Sequence, residues 1–137
     1  EYLRRRAEAL ASGYPCFVAE LDGRVIGFSS ASSYRSRPGY RFTVEDSVYV
    51  DDSAHGRGVG KQLLEALIAE CTARGHRQMI AVIGDSANVA SVKLHERCGF
   101  TQVAVFENIG WKFGRWLDSV QLIRPLGDGA TSPPVTS

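Results

Sequence analysis

The sequence predicts an α/β or α+β domain in which a mixed, mostly antiparallel central sheet carries helices on both faces. Three observations predict it. Asp22-Gly23 divides the β-rich stretch "CFVAELDGRVIGFSSA" into two runs. Apolar residues recur at i+4 steps through Val59, Leu63, Leu67 and Cys71. The continuous apolar run "MIAVI" then follows after a short turn. Strand, glycine loop, helix and strand, in that order, form the central unit.

At the start of the chain Leu3, Ala7 and Leu10 recur with helical spacing, which predicts a helix over residues 1–11. The Asp22-Gly23 pair is a hairpin signal, because its turn needs positive φ at both positions. "SYRSRPGYR" is a loop with Arg35, Arg37 and Arg41 beside Tyr34 and Tyr40. "FTVEDSVYV" alternates, with Val44, Val48 and Val50 on one face and Glu45, Ser47 and Tyr49 on the other. The helix from Val59 is stopped by Gly75, and "MIAVI" reads as a strand buried on both faces. Asn88 caps a short helix that Gly99 terminates. Two further strands are expected around residues 100–106 and 116–123. Residues 1–126 thus form a single domain, and the Gly/Ser/Thr/Pro-rich stretch 127–137 is expected to be a mobile tail.

Sixteen basic residues against fifteen acidic ones leave a formal charge of +1, which gives no general attraction to nucleic acid or to anionic membrane. No apolar run reaches the ~18 residues of a membrane span. Cys16, Cys71 and Cys98 form no C-x-x-C pair, which suits reduced thiols in a cytoplasmic protein. No metal is expected.

Glycines at 56, 58 and 60 stand where a helix must start. Each costs roughly 0.5–1 kcal/mol relative to alanine inside a helix, so bare backbone has a use there. The first amides of a helix lack intrahelical acceptors, and the helix dipole adds positive charge. A pyrophosphate can approach such a backbone closely, with Arg57 and Lys61 in reach. The spacing fits neither G-x-x-x-x-G-K-[ST], since Gln62 follows Lys61, nor G-x-G-x-x-G.

His55-Gly56-Arg57-Gly58-Val59-Gly60 resembles the acetyl-CoA pyrophosphate loop of the GNAT acetyltransferase superfamily, [QR]-x-x-G-x-[GA], with His55 where Gln or Arg is usual. "TVEDSVYV", "AVIGDSANVASVKLHERCGF" and "KFGRWLD" resemble the phosphinothricin (methionine sulfone/sulfoximine) N-acetyltransferase branch. Together these cover residues 17–122. The superfamily's opening strand and first helical segment, which help wall the acceptor site, have no counterpart in the sequence.

The resemblance implies transfer of an acetyl group from acetyl-CoA to a small amino-acid-like amine, phosphinothricin or methionine sulfoximine. It implies that Val48, Tyr49 and Val50 pair by backbone with the pantetheine arm, and that one N–H of this stretch serves as an oxyanion donor. His55, Gly56, Arg57, Gly58, Val59, Gly60 and Lys61 hold the pyrophosphate, while Asn88 and Ser91 contact the cofactor arm. Glu45 is the candidate base for the amine, with Asp46 on the other face as the weaker alternative. His95 stands where most members carry a tyrosine thought to protonate the thiolate, and can act as acid or base. Arg35 and Arg37 would fork onto an acid group, with Tyr34, Pro38, Gly39 and Tyr40 shaping the acceptor pocket. Lys112 and Arg115 face either the substrate or a second subunit, the branch being typically homodimeric. Three other readings remain open. They are a different amine acceptor (polyamine or peptide), a non-catalytic CoA-binding module, and a Cys98 nucleophile beside His95.

Overall fold

The computed structural model describes residues 3–5, 13–85 and 88–135. Strands β1 (Leu3–Arg5), β2 (Cys16–Leu21), β3 (Arg24–Ser33), β4 (Thr43–Val50), β5 (Gln78–Ile83), β6 (Thr101–Lys112) and β7 (Arg115–Pro125) build one sheet. Their spatial order is β1-β2-β3-β4-β5-β7-β6. Helix α1 (Val59–Ala73) joins β4 to β5, and α2 (Val89–Arg97) joins β5 to β6. Every neighbouring pair is antiparallel except β4 and β5. A parallel pair needs a crossover, and α1 supplies it.

Local chemistry sets the hairpins. Asp22 and Gly23 both take positive φ, 53° and 77°, and close β2 onto β3 as expected. A second two-residue turn at Phe113-Gly114, φ 56° and 71°, closes β6 onto β7. These last strands run well past the expected 100–106 and 116–123. Phe-Gly is a weaker turn signal than Asp-Gly, because a bulky residue at positive φ is strained. α1 ends at Gly75, φ 92°, whose N–H donates to the Thr72 carbonyl at 3.0 Å.

Val44, Met79, Ala81, Val120 and Leu122 of the sheet pack with Leu64, Leu67 and Cys71 of α1, and with Cys98 and Phe100 after α2. A second cluster joins Ala19 and Ile26 to Ala54, Val59 and Leu63. Burying each large apolar side chain contributes about 1.5–3 kcal/mol. Both helices therefore lie on one face, that of Val44 and Met79. Helices on both faces are expected from the sequence; among the described residues the opposite face carries none, and most of the segment expected as the first helix lies outside them. β5 is accordingly buried on one face only: Met79, Ala81 and Ile83 are covered, and Val82 is exposed.

Two other expectations are corrected. Leu3–Arg5 is a strand antiparallel to β2, where a helix over 1–11 is expected; the rest of that segment lies outside the described residues. At Leu3–Arg5 the edge of β2 offers backbone partners that outweigh a local helical preference. The stretch expected as a mobile tail is anchored in its first half. Leu126 is buried, and Arg77 donates to the carbonyls of Gly129, Ser132 and Pro133 at 2.7–2.9 Å. Among the described residues no helix is long and apolar enough to cross a membrane.

One glycine of β3 governs the approach of β4. A Cβ on Gly27 would stand 2.7 Å from the Tyr49 carbonyl oxygen and 3.0 Å from Leu63 Cδ1. Gly27→Ala should therefore destabilise the fold by about 1–3 kcal/mol, read as a lower urea midpoint with the slope unchanged.

Candidate active site

The parallel ladder between β4 and β5 covers only Thr43 to Glu45 against Gln78 to Ile80. β4 runs on to Val50 and β5 to Ile83, so past Glu45 the two strands part. Beside the opening, between the end of β4, the glycine loop and α2, lies a cleft of about 550 Å³. Val48, Tyr49 and Val50 line it from β4, His55, Gly56, Gly58, Val59, Gly60 and Lys61 from the glycine loop, and Asn88 and Ser91 from α2. All were singled out in the sequence. Arg57 does not line it. Asp52, Ala54, Ala90, Leu94 and Arg97 do, and sequence reasoning missed them. Arg97 had a signal: it lies six residues after Ser91 on the same short helix, in its last turn.

The three glycines have different causes. Gly56 and Gly58 take φ of 83° and 75°, with open space where a Cβ would stand. Gly58 caps α1 in the left-handed conformation and makes no side-chain cap bond. The first-turn amides of α1 are thereby left to a ligand. Gly60 is different, because its Cβ would meet Leu94 Cδ2 at 3.2 Å and Val50 Cγ2 at 3.4 Å. His55 contributes through its ring, with Nε2 3.2 Å from the Val50 carbonyl oxygen.

A smaller, polar cleft of about 190 Å³ adjoins the first, sharing Val48, Asn88 and Ser91. Asp46, Ser47 and His95 line it along with residues 81–84 of β5 and its end. His95 Nε2 lies 2.7 Å from Asp46 Oδ2, and His95 Nδ1 lies 2.8 Å from the Ser91 carbonyl oxygen. The two side chains are 4% and 1% exposed. Burial works against the charged imidazolium, but the hydrogen bond and charge of Asp46, with the Ser91 carbonyl, outweigh it and raise the His95 pKa. Both ring nitrogens are committed to partners inside the protein. The sequence reading placed Asp46 opposite Glu45 and missed this pairing. The available signal was a carboxylate on the same strand face as Val44 and Val48, where a charge requires a partner.

Glu45 is half-buried on the other strand face. Its pKa is raised by burial and by the Asp46 charge, against a lowering pull from Arg35. The arginine loop lines neither cleft. Pro38–Tyr40 form a 3-10 turn after Arg37, and Tyr34 and Tyr40 meet edge to face at 6.2 Å. Arg35 stacks over Tyr34 at 4.2 Å. Arg115, expected at the substrate or a partner, donates to Asp85 Oδ2 at 2.7 Å. Lys112 lies over Phe113 at 5.1 Å. Cys98 is buried and its thiol pKa is raised by burial, which disfavours the thiolate a nucleophile needs.

Comparison with known proteins shows the family. Residues 1–100 match the model of the Acetyltransferase (GNAT) family. The chain is 50% identical over 134 residues to a phosphinothricin N-acetyltransferase of Alcaligenes faecalis, covering 98% of this chain and 68% of that one. It is 47% identical over 106 residues to an L-methionine sulfoximine/L-methionine sulfone acetyltransferase of Salmonella typhimurium, covering 77% and 61%. The chain thus spans between three-fifths and about two-thirds of these relatives. Among solved structures, a GNAT superfamily phosphinothricin acetyltransferase of Sinorhizobium meliloti in complex with AcCoA superposes with a TM-score of 0.90. It is 45% identical, over 96% of this chain and 71% of that one.

The His95 pair makes stability depend on pH. The folded pKa lies above the unfolded value of ~6.5, so the folded state holds this proton more tightly. Its stabilisation is complete below about pH 6.5 and is lost as pH rises through the raised folded pKa. Unfolding free energy measured in urea should fall across that window, and Asp46→Asn should flatten the slope.

Proposed function

The chain belongs to the GNAT acetyltransferase family, and from that premise we propose that it carries an acetyl group from acetyl-CoA to the primary amine of a small amino-acid-like acceptor such as phosphinothricin or methionine sulfoximine. The observation that carries the reading is the fork between β4 and β5, with a left-handed glycine turn and free helix amides at its mouth. Bound acetyl-CoA supplies an activated thioester. Around it, the amides at the start of α1 and Lys61 hold pyrophosphate. The β4 edge at Val48-Tyr49-Val50 lends its backbone to the pantetheine arm, and one of its N–H groups donates to the carbonyl oxygen as charge develops there. Asn88 and Ser91 hold the arm from the α2 side.

The acceptor amine arrives protonated and must lose a proton before it can attack. Glu45 takes it, directly or through water. Burial supports that role, because a carboxylate with a raised pKa is a better base than a solvated one. On this reading the acid end of the acceptor is held by Arg35 and Arg37, whose planar forks suit a carboxylate or phosphinate. Arg35 is close enough for its charge to be felt at Glu45.

The reading includes a homodimer in the cytoplasm. Exposed Ile109, Trp111, Phe113 and Trp116 make an apolar surface on the β6–β7 hairpin that a second copy would cover. Cys16, Cys71 and Cys98 are thiols rather than disulfides, which suits a reducing setting. Sedimentation at micromolar concentration should give a dimer, and Trp111→Ser with Phe113→Ser should shift it to monomer.

Free-thiol release from acetyl-CoA tests the chemistry against a panel of phosphinothricin, methionine sulfoximine, spermidine and a peptide. Release with the two amino-acid analogues alone is expected; release only with spermidine or peptide would discard the acceptor, and binding of CoA without release would discard the enzyme. Glu45→Gln should lower kcat by about 10²–10⁴-fold while calorimetric affinity for CoA holds. An equal loss of both would remove Glu45 as the base.

A further inference from the structure

The sequence suggests His95 as a proton carrier for the leaving thiolate, yet its surroundings in the fold are those of a structural brace. A carbonyl oxygen can only accept, so the Ser91 contact at 2.8 Å fixes a proton on Nδ1. Nε2 faces Asp46 Oδ2 at 2.7 Å. Neither nitrogen keeps a lone pair or an N–H for the cleft, and the edge-on ring of Phe100, 4.9 Å away, closes another side of the imidazole. Asp46 stands on the core face of β4, so the bond runs from β4 to α2 across the fork.

Past its root no sheet hydrogen bond fixes the width of that fork among the described residues. Sheet hydrogen bonds between β4 and β5 end at Glu45 and Ile80. Beyond them, α2 brings Asn88 and Ser91 to the cleft, and only its placement sets their distance from Val48. We propose that Asp46 is a positioning residue for acetyl transfer: together with the Ser91 carbonyl it makes His95 a strut between β4 and α2 rather than a carrier of protons. The charged groups around the strut are few. Asp46 faces it from β4; Lys61 and Glu65 of α1 and Arg124 of β7 lie within charge range of Cys98, three residues along from His95. The link to acetyl transfer rests on the acetyltransferase reading, whereas the strut itself does not.

The test compares His95→Gln with His95→Ala in the full chain, with Asp46→Ala alongside. A glutamine amide can still donate to Asp46 but cannot titrate. If His95 is a strut, His95→Ala and Asp46→Ala weaken CoA binding about tenfold or more. His95→Gln then recovers most of that affinity, keeps kcat within about threefold, and leaves the pH dependence of kcat/KM in place. Glutamine as inactive as alanine, with CoA affinity intact and the pH limb gone, would make His95 the proton carrier and overturn the proposal. Wild-type affinity in Asp46→Ala would also overturn it. A nitrogen-15 spectrum of the unmutated protein needs no variant to fold: His95 Nδ1 should carry a proton, held by the Ser91 carbonyl, and a bare Nδ1 would refute the strut. Calorimetry and the spectrum read out even if no amine accepts acetyl, which separates this failure from failure of the acetyltransferase reading.

Discussion

Three register pairs between β4 and β5 are the constraint on which the rest of the site depends. A parallel pair is obliged to send its connection over one face of the sheet, and here the connection is α1 with its glycine entrance. Had the ladder continued to Val50, the backbone of residues 46–50 would be satisfied by β5 and there would be no cleft. The ladder stops, α1 starts beside the gap, and an extended ligand can use the β4 edge and the helix amides together. The proposed cofactor site is therefore a defect in sheet pairing that the fold maintains.

Maintaining it needs ties that cross the gap, and the buried Asp46–His95 pair is one. Such pairs are poor sources of net stability, because desolvation of both groups offsets much of their attraction. Their use is in fixing a geometry. A hydrophobic substitute could fill the same volume but could not dictate which turn of α2 faces β4. The pH-sensitive stability of the pair is a side effect of holding that geometry with a titrating group.

How much of this was legible in the sequence can be judged residue by residue. Asp22-Gly23, Gly75 and Gly99 act through their own backbone and Asn88 through its side chain on the Ser91 N–H, and each sits where its type predicts. Most of the cleft lining from Val48 to Lys61, Asp52 and Ala54 apart, was legible because one loop and one strand edge supply it. The Asp46–His95 pair was not, because its members are 49 positions apart and meet only through tertiary packing. Phe113-Gly114 was missed because phenylalanine at positive φ is tolerated for the sake of the long β6–β7 ladder, not for local preference. Arg77 reads as an ordinary surface cation until the fold lays residues 129–133 across it.

Gly60 shows how a motif can conserve something other than what it is read for. Its missing Cβ makes room for Leu94, so α1 and α2 touch through it. Positions 60 and 94 then form a couple under drift: an alanine at 60 is tolerated where 94 has become smaller, and a bulky 94 binds 60 to glycine. A descendant of this chain that had lost every ligand would still display the third glycine for as long as it kept the leucine. Searches anchored on that glycine detect a pair of packed helices, and the ligand is better sought at Gly56 and Gly58.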